Sequence, residues 1–354
     1  MNMEIVVDEL VGLKKKYDDA SFRTYFERVE FLVYGVEHGA RVPAVCELLL
    51  HRPYTRVTNL RTSDEMITVL EQDEENPALL LVEGADDNAG IAEMVKKFGA
   101  RVFTIGFRTK NISMLREALE SRGAQFLHEG IRERNGVRSI ATTQSSVTLD
   151  SYFYIEREGA ERNFDFFPNA EIIPLEREIE ETLKRKKRLK AFSFMHVLDH
   201  IAYRVHGVDI VGVGDEFMRL TPFLYSEAHE IEEHDAKTVV FRFGSTKPAL
   251  VASFGRSNES VVEQYVERYG PRVHHIAYEV SDISKIVSLQ RKRGMTFTTE
   301  EVIGARDEGI VQIFSTPSVF TNEITEYVQR FDGFTGFFSN KNVGNLMTST
   351  RAFQ

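Results

Sequence analysis

Phe26-Glu27-Arg28-Val29-Glu30-Phe31-Leu32-Val33-Tyr34-Gly35-Val36 aligns without a gap on Leu198-Asp199-His200-Ile201-Ala202-Tyr203-Arg204-Val205-His206-Gly207-Val208. Val102 to Phe126 aligns, again without a gap, on Val273 to Phe297. The offsets are 172 and 171 residues (198 against 26, 273 against 102). His200 and His275 each stand third in their segments, where the first copy has Arg28 and Thr104. A scaffold written twice with histidines in one copy points to a single chemically armed half.

The repeat unit reads strand, helix, strands. Val102 to Thr109 is rich in β-branched and aromatic residues, and Asn111 can cap a helix that runs to Ser121. Ile112, Leu115 and Leu119 share one face of that helix, and Gly123 ends it. The second copy repeats each step, with a cap near Ser281-Asp282, apolar Ile283, Ile286, Val287 and Leu289, then Arg293-Gly294. Strand-like runs follow at Val302–Ile303, Ile310–Phe314 and Ile324–Val328. His200-Ile-Ala-Tyr203 recurs as His275-Ile-Ala-Tyr278, so each half is itself a tandem, with units opening near Phe26, Val102, Leu198 and Val273. One such unit cannot close a core alone, whereas paired units can. The expected organisation is an N-terminal domain over 1–160, a linker over 161–192 and a C-terminal catalytic domain over 193–354. Residues 1–20 form a short helix outside the repeat.

Composition narrows the function classes. The chain has 354 residues, a net charge of -10 and 42% hydrophobic residues, which suits a two-domain globular protein without a nucleic-acid or anionic-membrane partner. The basic run Lys184 to Arg188 follows the acidic Glu176 to Glu181 and reads as a solvated, charge-paired linker helix. The lone Cys46 excludes an internal disulfide and fits a reducing compartment, hence a cytoplasmic location; it reads as a buried structural thiol. No signal peptide or membrane-spanning run is visible.

Alternation in a strand sets His275 on one face with Ala277 and Glu279, while Ile276, Tyr278 and Val280 face a helix. The same pattern sets His200 with Ala202. Glu326, an acid inside Ile324-Thr325-Glu326-Tyr327-Val328, supplies a third ligand; its counterparts near Phe153–Ile155 are not acidic. Two imidazoles and one carboxylate with open positions are the ligand set of non-haem Fe(II) oxygen chemistry. The competing reading is that strand histidines are hydrogen-bonded core residues. His274 points away from His275 or twists toward the pocket rim, and the remaining histidines, His51 and His229 among them, read as surface or loop residues.

Leu198-Asp199-His200, Val273-His274-His275-Ile276-Ala277, Gly309-Ile310-Val311-Gln312-Ile313-Phe314 and Glu326-Tyr327-Val328-Gln329-Arg330 resemble, in content and order, the signature blocks of the 4-hydroxyphenylpyruvate dioxygenase family. The resemblance is weak in the first half and specific in the second. It implies the vicinal-oxygen-chelate fold, an α+β architecture of four βαβββ units in two open-barrel domains with a C-terminal gating helix. It implies Fe(II) held by His200, His275 and Glu326, with a 2-oxo acid and dioxygen as reactants. The family's reaction is oxidative decarboxylation followed by hydroxylation of the same substrate, 4-hydroxyphenylpyruvate or a related aryl- or alkyl-pyruvate. By the same resemblance Gln312 hydrogen-bonds near the iron and Phe314 walls the cavity. Phe338 stacks on the substrate and Asn342 follows it in the gate. A homo-oligomer is expected.

Four substrate-pocket blocks depart from the family pattern. Ser253-Phe254-Gly255-Arg256 replaces a Pro-Ile-Asn-Glu block, Val261 and His274 stand where glutamines are usual, and Val343 replaces a second gate phenylalanine. The segment between His275 and Glu326 is shorter than in the family. Lost polar grips change selectivity sharply, so Val261, His274, Gln312, Phe314, Phe338 and Val343 are the residues expected to select the substrate. The alternatives are an extradiol-type ring-cleaving dioxygenase, which uses the same ligands, and a non-catalytic small-molecule binder of the same superfamily.

Overall fold

Strand patterns interrupted by amphipathic helices dictate β-α-β-β-β units, and a computed structural model of the chain contains four of them. It describes residues 3–73, 75–86, 90–159, 164, 167, 169–188, 194–338 and 340–353, with the side chains of 3, 340–343 and 352 outside the description. Helices α1 (Met3–Tyr17) and α2 (Ala20–Thr24) come first. The first unit is β1 (Phe26–Val36), α3 (Arg41–His51), β2 (Arg56–Arg61), β3 (Glu65–Glu71) and β4 (Ala78–Gly84). Helix α4 (Gly90–Phe98) leads to the second: β5 (Arg101–Thr109), α5 (Ile112–Ser121), β6 (Arg132–Arg134), β7 (Val137–Ala141) and β8 (Ser151–Arg157). Between the halves lie β9 (Glu171–Ile173) and α6 (Arg177–Arg188). The third unit is β10 (Met195–Val205), α7 (Ile210–Leu220), β11 (Leu224–Ile231), β12 (Ala236–Arg242) and β13 (Ala249–Gly255). Helix α8 (Val261–Tyr269) leads to the fourth: β14 (Arg272–Val280), α9 (Ile283–Arg291), β15 (Ile303–Ala305), β16 (Ile310–Phe314) and β17 (Ile324–Arg330). Helix α10 (Asn340–Thr350) follows.

The local signals hold. The Asn111 side chain accepts from Met114 N (3.0 Å) and Asp282 from Lys285 N (3.0 Å), capping α5 and α9 as their sequences demand. In α9 the last buried residue is Gln290, bonded to the Tyr327 hydroxyl and the His51 carbonyl; Leu289 is only half-buried. Cys46 is half-buried, and burial pushes its thiol up. The basic run of α6 is not wholly solvated. Lys186 is 1% exposed, and its ammonium donates to the Arg52 and Tyr54 carbonyls at the end of α3, where a cation meets the negative end of the helix.

Strand order is β9-β2-β3-β4-β1-β5-β8-β7-β6 in one curled sheet and β11-β12-β13-β10-β14-β17-β16-β15 in the other. Apart from β9, the two orders correspond strand for strand. One apolar core runs beneath both halves, from Leu10 and Phe107 to Ile276 and Tyr327. Four units paired into two curled sheets are the architecture that the sequence resemblance implied.

Strand pairing corrects the first alignment. On β10, His200, Ile201 and Ala202 pair with Ala277, Ile276 and His275, and Tyr203 pairs with Val273. On β1 the same pattern belongs to Phe31, Leu32 and Val33, which pair with Gly106, Ile105 and Thr104, and to Tyr34, which pairs with Val102. The structural counterpart of His200 is therefore Phe31, not Arg28, and Phe26 corresponds to Met195, three residues before Leu198. Thr104 remains the counterpart of His275, and Phe153, paired with Gly106 as Glu326 is with Ala277, replaces Glu326. A gapless comparison missed this because β1 and β10 are buried on both faces over most of their length and so carry little polar–apolar alternation to fix a register; only cross-strand partners distinguish the two.

Candidate metal centre

Three side chains from neighbouring strands meet on the concave face of the second sheet. His200 comes from β10, His275 from β14 and Glu326 from β17. His200 Nε2 lies 3.2 Å from His275 Nε2 and 3.1 Å from Glu326 Oε2, and His275 Nε2 lies 3.3 Å from that oxygen. A cation about 2.1 Å from each atom would set them about 3.0 Å apart at octahedral angles and about 3.4 Å apart at tetrahedral ones. The observed triangle lies between these values. Glu326 is fully buried, and its Oε2 has no hydrogen-bond donor although it is closed off from solvent. A buried carboxylate oxygen left bare is costly unless something positive fills the place. The donor set and the bare oxygen fit a divalent cation, and among the described residues this is the one such cluster of histidine, cysteine and carboxylate groups.

β-Bulges build the surroundings. Register slips between Leu198 and His200 and between Ala202 and Tyr203 put Asp199 beside His200 and His274 beside His275, each on the site face. Asp199 Oδ2 lies 2.9 Å from His200 Nδ1. The two Asp199 oxygens accept from Arg330 Nη1 and Nη2 (2.8 Å each), and Oδ1 also meets Lys247 Nζ at 2.8 Å. With Nδ1–H donated to Asp199, His200 presents a bare Nε2 to the centre. On the other strand, His275 Nδ1 lies 3.0 Å from His274 Nδ1, and the His274 ring meets Tyr265 edge-on at 5.1 Å. His274 therefore faces the site rather than pointing away from its neighbour. If His275 Nε2 is to coordinate, its Nδ1 must donate to His274.

The electrostatics are those of a negative well. Burial lowers the affinity of His200 for a proton, but Glu326 and Asp199 outweigh it and raise its pKa to about 9. Burial and the His200 charge hold His275 well below the usual imidazole range. Asp199 stays well below the usual carboxylate range despite burial, because His200 and Arg330 bond it.

The first half keeps the bulge and its acid–arginine brace without the ligands. Its β1 slips between Val29 and Phe31, and Glu30, at the position of Asp199, accepts from Arg157, at the position of Arg330. The three ligand positions hold Phe31, Thr104 and Phe153, with the Phe31 and Phe153 rings 5.7 Å apart. A Cβ on Gly106 would lie 2.4 Å from the Phe31 ring; the fourth unit has Ala277 there, opposite the smaller imidazole. The first half also braces β17. Arg52 Nε donates to Thr325 Oγ1 (3.1 Å), Arg52 pairs with the buried Glu323, and Tyr34 donates to Glu323 at 3.0 Å.

Around the triad, Gln312 Nε2 donates to Glu326 Oε1 (2.6 Å) and to the Phe337 carbonyl (3.1 Å), tying Glu326 to the C-terminal segment. Phe314 stands 4.8 Å from the His275 ring, and Val261 is buried in the same cluster at the start of α8. Phe338 lies 6.3 Å from the His200 ring, but Phe337 is nearer at 5.3 Å, flanked by the Arg242 and Arg330 guanidiniums. Sequence reading passed over Phe337 and the Asp199–Arg330 brace, and it set His229 at the surface or in a loop, whereas His229 is half-buried on β11 with its ring 6.0 Å from Phe338. The signal for the brace was present, since an acid precedes the histidine and an arginine ends the Glu326 strand. Of the departures, Ser253 meets Thr238 hydroxyl to hydroxyl at 2.8 Å, while Arg256 pairs with Asp235 (2.7 Å). Asn342 and Val343 fall in α10, but their side chains lie outside the described residues.

No protein-family model matches the chain. It is 22% identical to a 4-hydroxyphenylpyruvate dioxygenase of Dictyostelium discoideum over 233 residues, covering 60% of this chain and 58% of that relative's length. Among solved structures it resembles a mutant 4-hydroxymandelate synthase from Streptomyces coelicolor, with a TM-score of 0.72, 16% identity, and coverage of 93% of this chain and 99% of the other. A xylose isomerase-like TIM barrel/4-hydroxyphenylpyruvate dioxygenase fusion protein superposes with a TM-score of 0.64 at 14% identity, over 94% of this chain and 53% of the fusion. A Mn(II)-bound glyoxalase from Novosphingobium aromaticivorans gives 0.52 at 11% identity, over 87% of this chain and 83% of that one. The structural likenesses establish the fold. The resemblance to the 4-hydroxyphenylpyruvate dioxygenase family stands on the curated relative, the solved structures and the sequence blocks together.

Proposed function

We propose that this protein is a non-haem Fe(II) dioxygenase that oxidatively decarboxylates and hydroxylates a 2-oxo acid, with 4-hydroxyphenylpyruvate or a less polar relative as substrate. The observation that carries this reading is the buried triangle of His200, His275 and Glu326 with its bare Oε2. Bound there, iron would supply the open positions at which a 2-oxo acid and dioxygen are brought together.

The chain's own groups have separable tasks. Asp199 holds the Nδ1 hydrogen of His200 and fixes the ring. Gln312 orients Glu326 by donating to Oε1, which leaves Oε2 for the cation. Phe314, Phe337 and Phe338 wall the site with hydrocarbon and keep water from it. Because Gln312 also donates to the Phe337 carbonyl and Arg330 Nε to the Gly336 carbonyl (2.9 Å), movement of the C-terminal segment would be felt at both Glu326 and Asp199. We assign this segment, with α10, the part of a gate.

The test is oxygen uptake by anaerobically Fe(II)-loaded protein given a panel of aryl- and alkyl-pyruvates, with product mass as the second readout. A substrate that consumes oxygen, releases carbon dioxide and gains hydroxyl oxygen supports the reading. Uptake with catechols and with no 2-oxo acid would move the assignment to ring cleavage.

A further inference from the structure

The first half carries a cavity of about 550 Å³ against its second unit, lined by residues of β6, β7 and β8 together with Leu127, His128, Gly130 and Phe167. Its position is that of the metal pocket in the other half. The strand pairs Arg132–Ser139 and Ala141–Phe153 correspond to Ile303–Gln312 and Phe314–Glu326. Where the second half fills this space with Gln312 and Phe314, the first has the short side chains Ser139 and Ala141, and the missing volume is the cavity. The ligand positions themselves are closed by the Phe31 and Phe153 rings, so the space is floored by aromatic carbon, and among the described residues no cluster of three metal-ligating groups lies there.

The mouth is charged. Arg132 and Arg134 alternate on β6, so both guanidiniums belong to the face of Ser139 and Val137, their cross-strand partners. Glu133, paired with Arg138 on the next strand, alternates to the other face and lines both this cavity and the neighbouring one over Arg138 and Glu156. Arg134 donates to the Asn169 amide oxygen at 3.4 Å, and among the described residues neither arginine forms a salt bridge. Leu127, 60% exposed, adds an apolar lip. The volume is that of a small-molecule pocket, and an apolar floor beneath convergent cations selects an anionic end on a hydrocarbon body.

We propose that this cavity is a second, metal-free binding site for a small monocarboxylate with an aromatic or branched apolar body. The hydrocarbon would sit over Phe153 and Ala141 with its carboxylate at Arg132 and Arg134. The site is independent of the iron reading.

The test is isothermal titration of the full-length chain carrying His275→Ala, which silences the metal centre, with 4-phenylbutyrate as probe and 4-phenylbutyramide as its uncharged control. The expected result is saturable one-to-one binding of the acid, with the amide at least tenfold weaker. Ala141→Phe, which restores the ring of the second half, and the double change R132Q/R134Q should each weaken the acid at least tenfold while circular dichroism is unchanged. Should Ala141→Phe fail to fold, Ala141→Leu takes its place. Absence of binding, equal affinity for acid and amide, or a titration indifferent to either set of changes would overturn the proposal.

Discussion

Replacing Asp199 by Asn would separate the brace from the ligands. The side chain is fully buried and makes four polar contacts: one to His200 Nδ1, two to Arg330 and one to Lys247, all between 2.8 and 2.9 Å. An amide oxygen keeps one of these without its charge, and the amide nitrogen faces cations it cannot accept from. The loss of the carboxylate behind a coordinating imidazole costs about 10–100-fold in metal affinity, or about 1.4–2.7 kcal/mol. Breaking a buried ion pair from one side costs about 3–5 kcal/mol of stability, reduced here because Arg330 and Lys247 keep some access to solvent. The first half contains its own control. Glu30→Gln breaks the equivalent pair with Arg157, where the ligand positions are Phe31, Thr104 and Phe153. Both variants should lose thermal stability in chelator, but only Asp199→Asn should weaken Fe(II) or Co(II) in a competition titration. Wild-type metal affinity in Asp199→Asn, or an equal loss in Glu30→Gln, would refute the division of labour between the halves.

Three further outcomes follow from the geometry. His275→Ala should abolish stoichiometric metal in protein purified without chelator, read by elemental analysis, and with it any oxygen uptake. Gly106→Ala should destabilise by about 1–3 kcal/mol in thermal unfolding, because the new Cβ would meet the Phe31 ring at 2.4 Å. Burial raises Asp150 from 3.8 to about 7, outweighing an Arg101 nitrogen 3.7 Å away and the hydroxyl that Tyr203 donates at 2.7 Å. A carboxyl raised on folding favours the folded state most below pH 4, and that contribution, on the order of 4 kcal/mol, fades as pH rises through 7. Denaturant midpoints measured from pH 4 to pH 8 should show that loss, and Asp150→Asn should flatten it; a parallel profile in the variant would reject Asp150 as its source.

The amino-acid sequence by itself determined the unit, its fourfold recurrence, the caps of α5 and α9 and the three side chains that meet at the candidate metal centre. These depend on short-range signals: period-2 alternation, Asn111 and Asp282 before their helices, and histidines at like places in like strands. Only the tertiary structure decided register. A slip of three residues exchanges the two faces of a strand, but β1 and β10 are buried on both faces over most of their length, so alternation did not choose between Arg28 and Phe31 as counterpart of His200; their partners Gly106 and Ala277 across the ladder do. The bulges that turn Asp199 and His274 onto the site face are likewise set by the partner strand. Lys186 read as solvated because a charge run carries no sign of the α3 carbonyls that receive it. The cavity over Ala141 exists only by comparison with Phe314, two residues that come to equivalent places when each half curls its own sheet. Local pattern chooses the elements; which side chains meet is settled by pairing between strands distant in the chain, and no local signal encodes it.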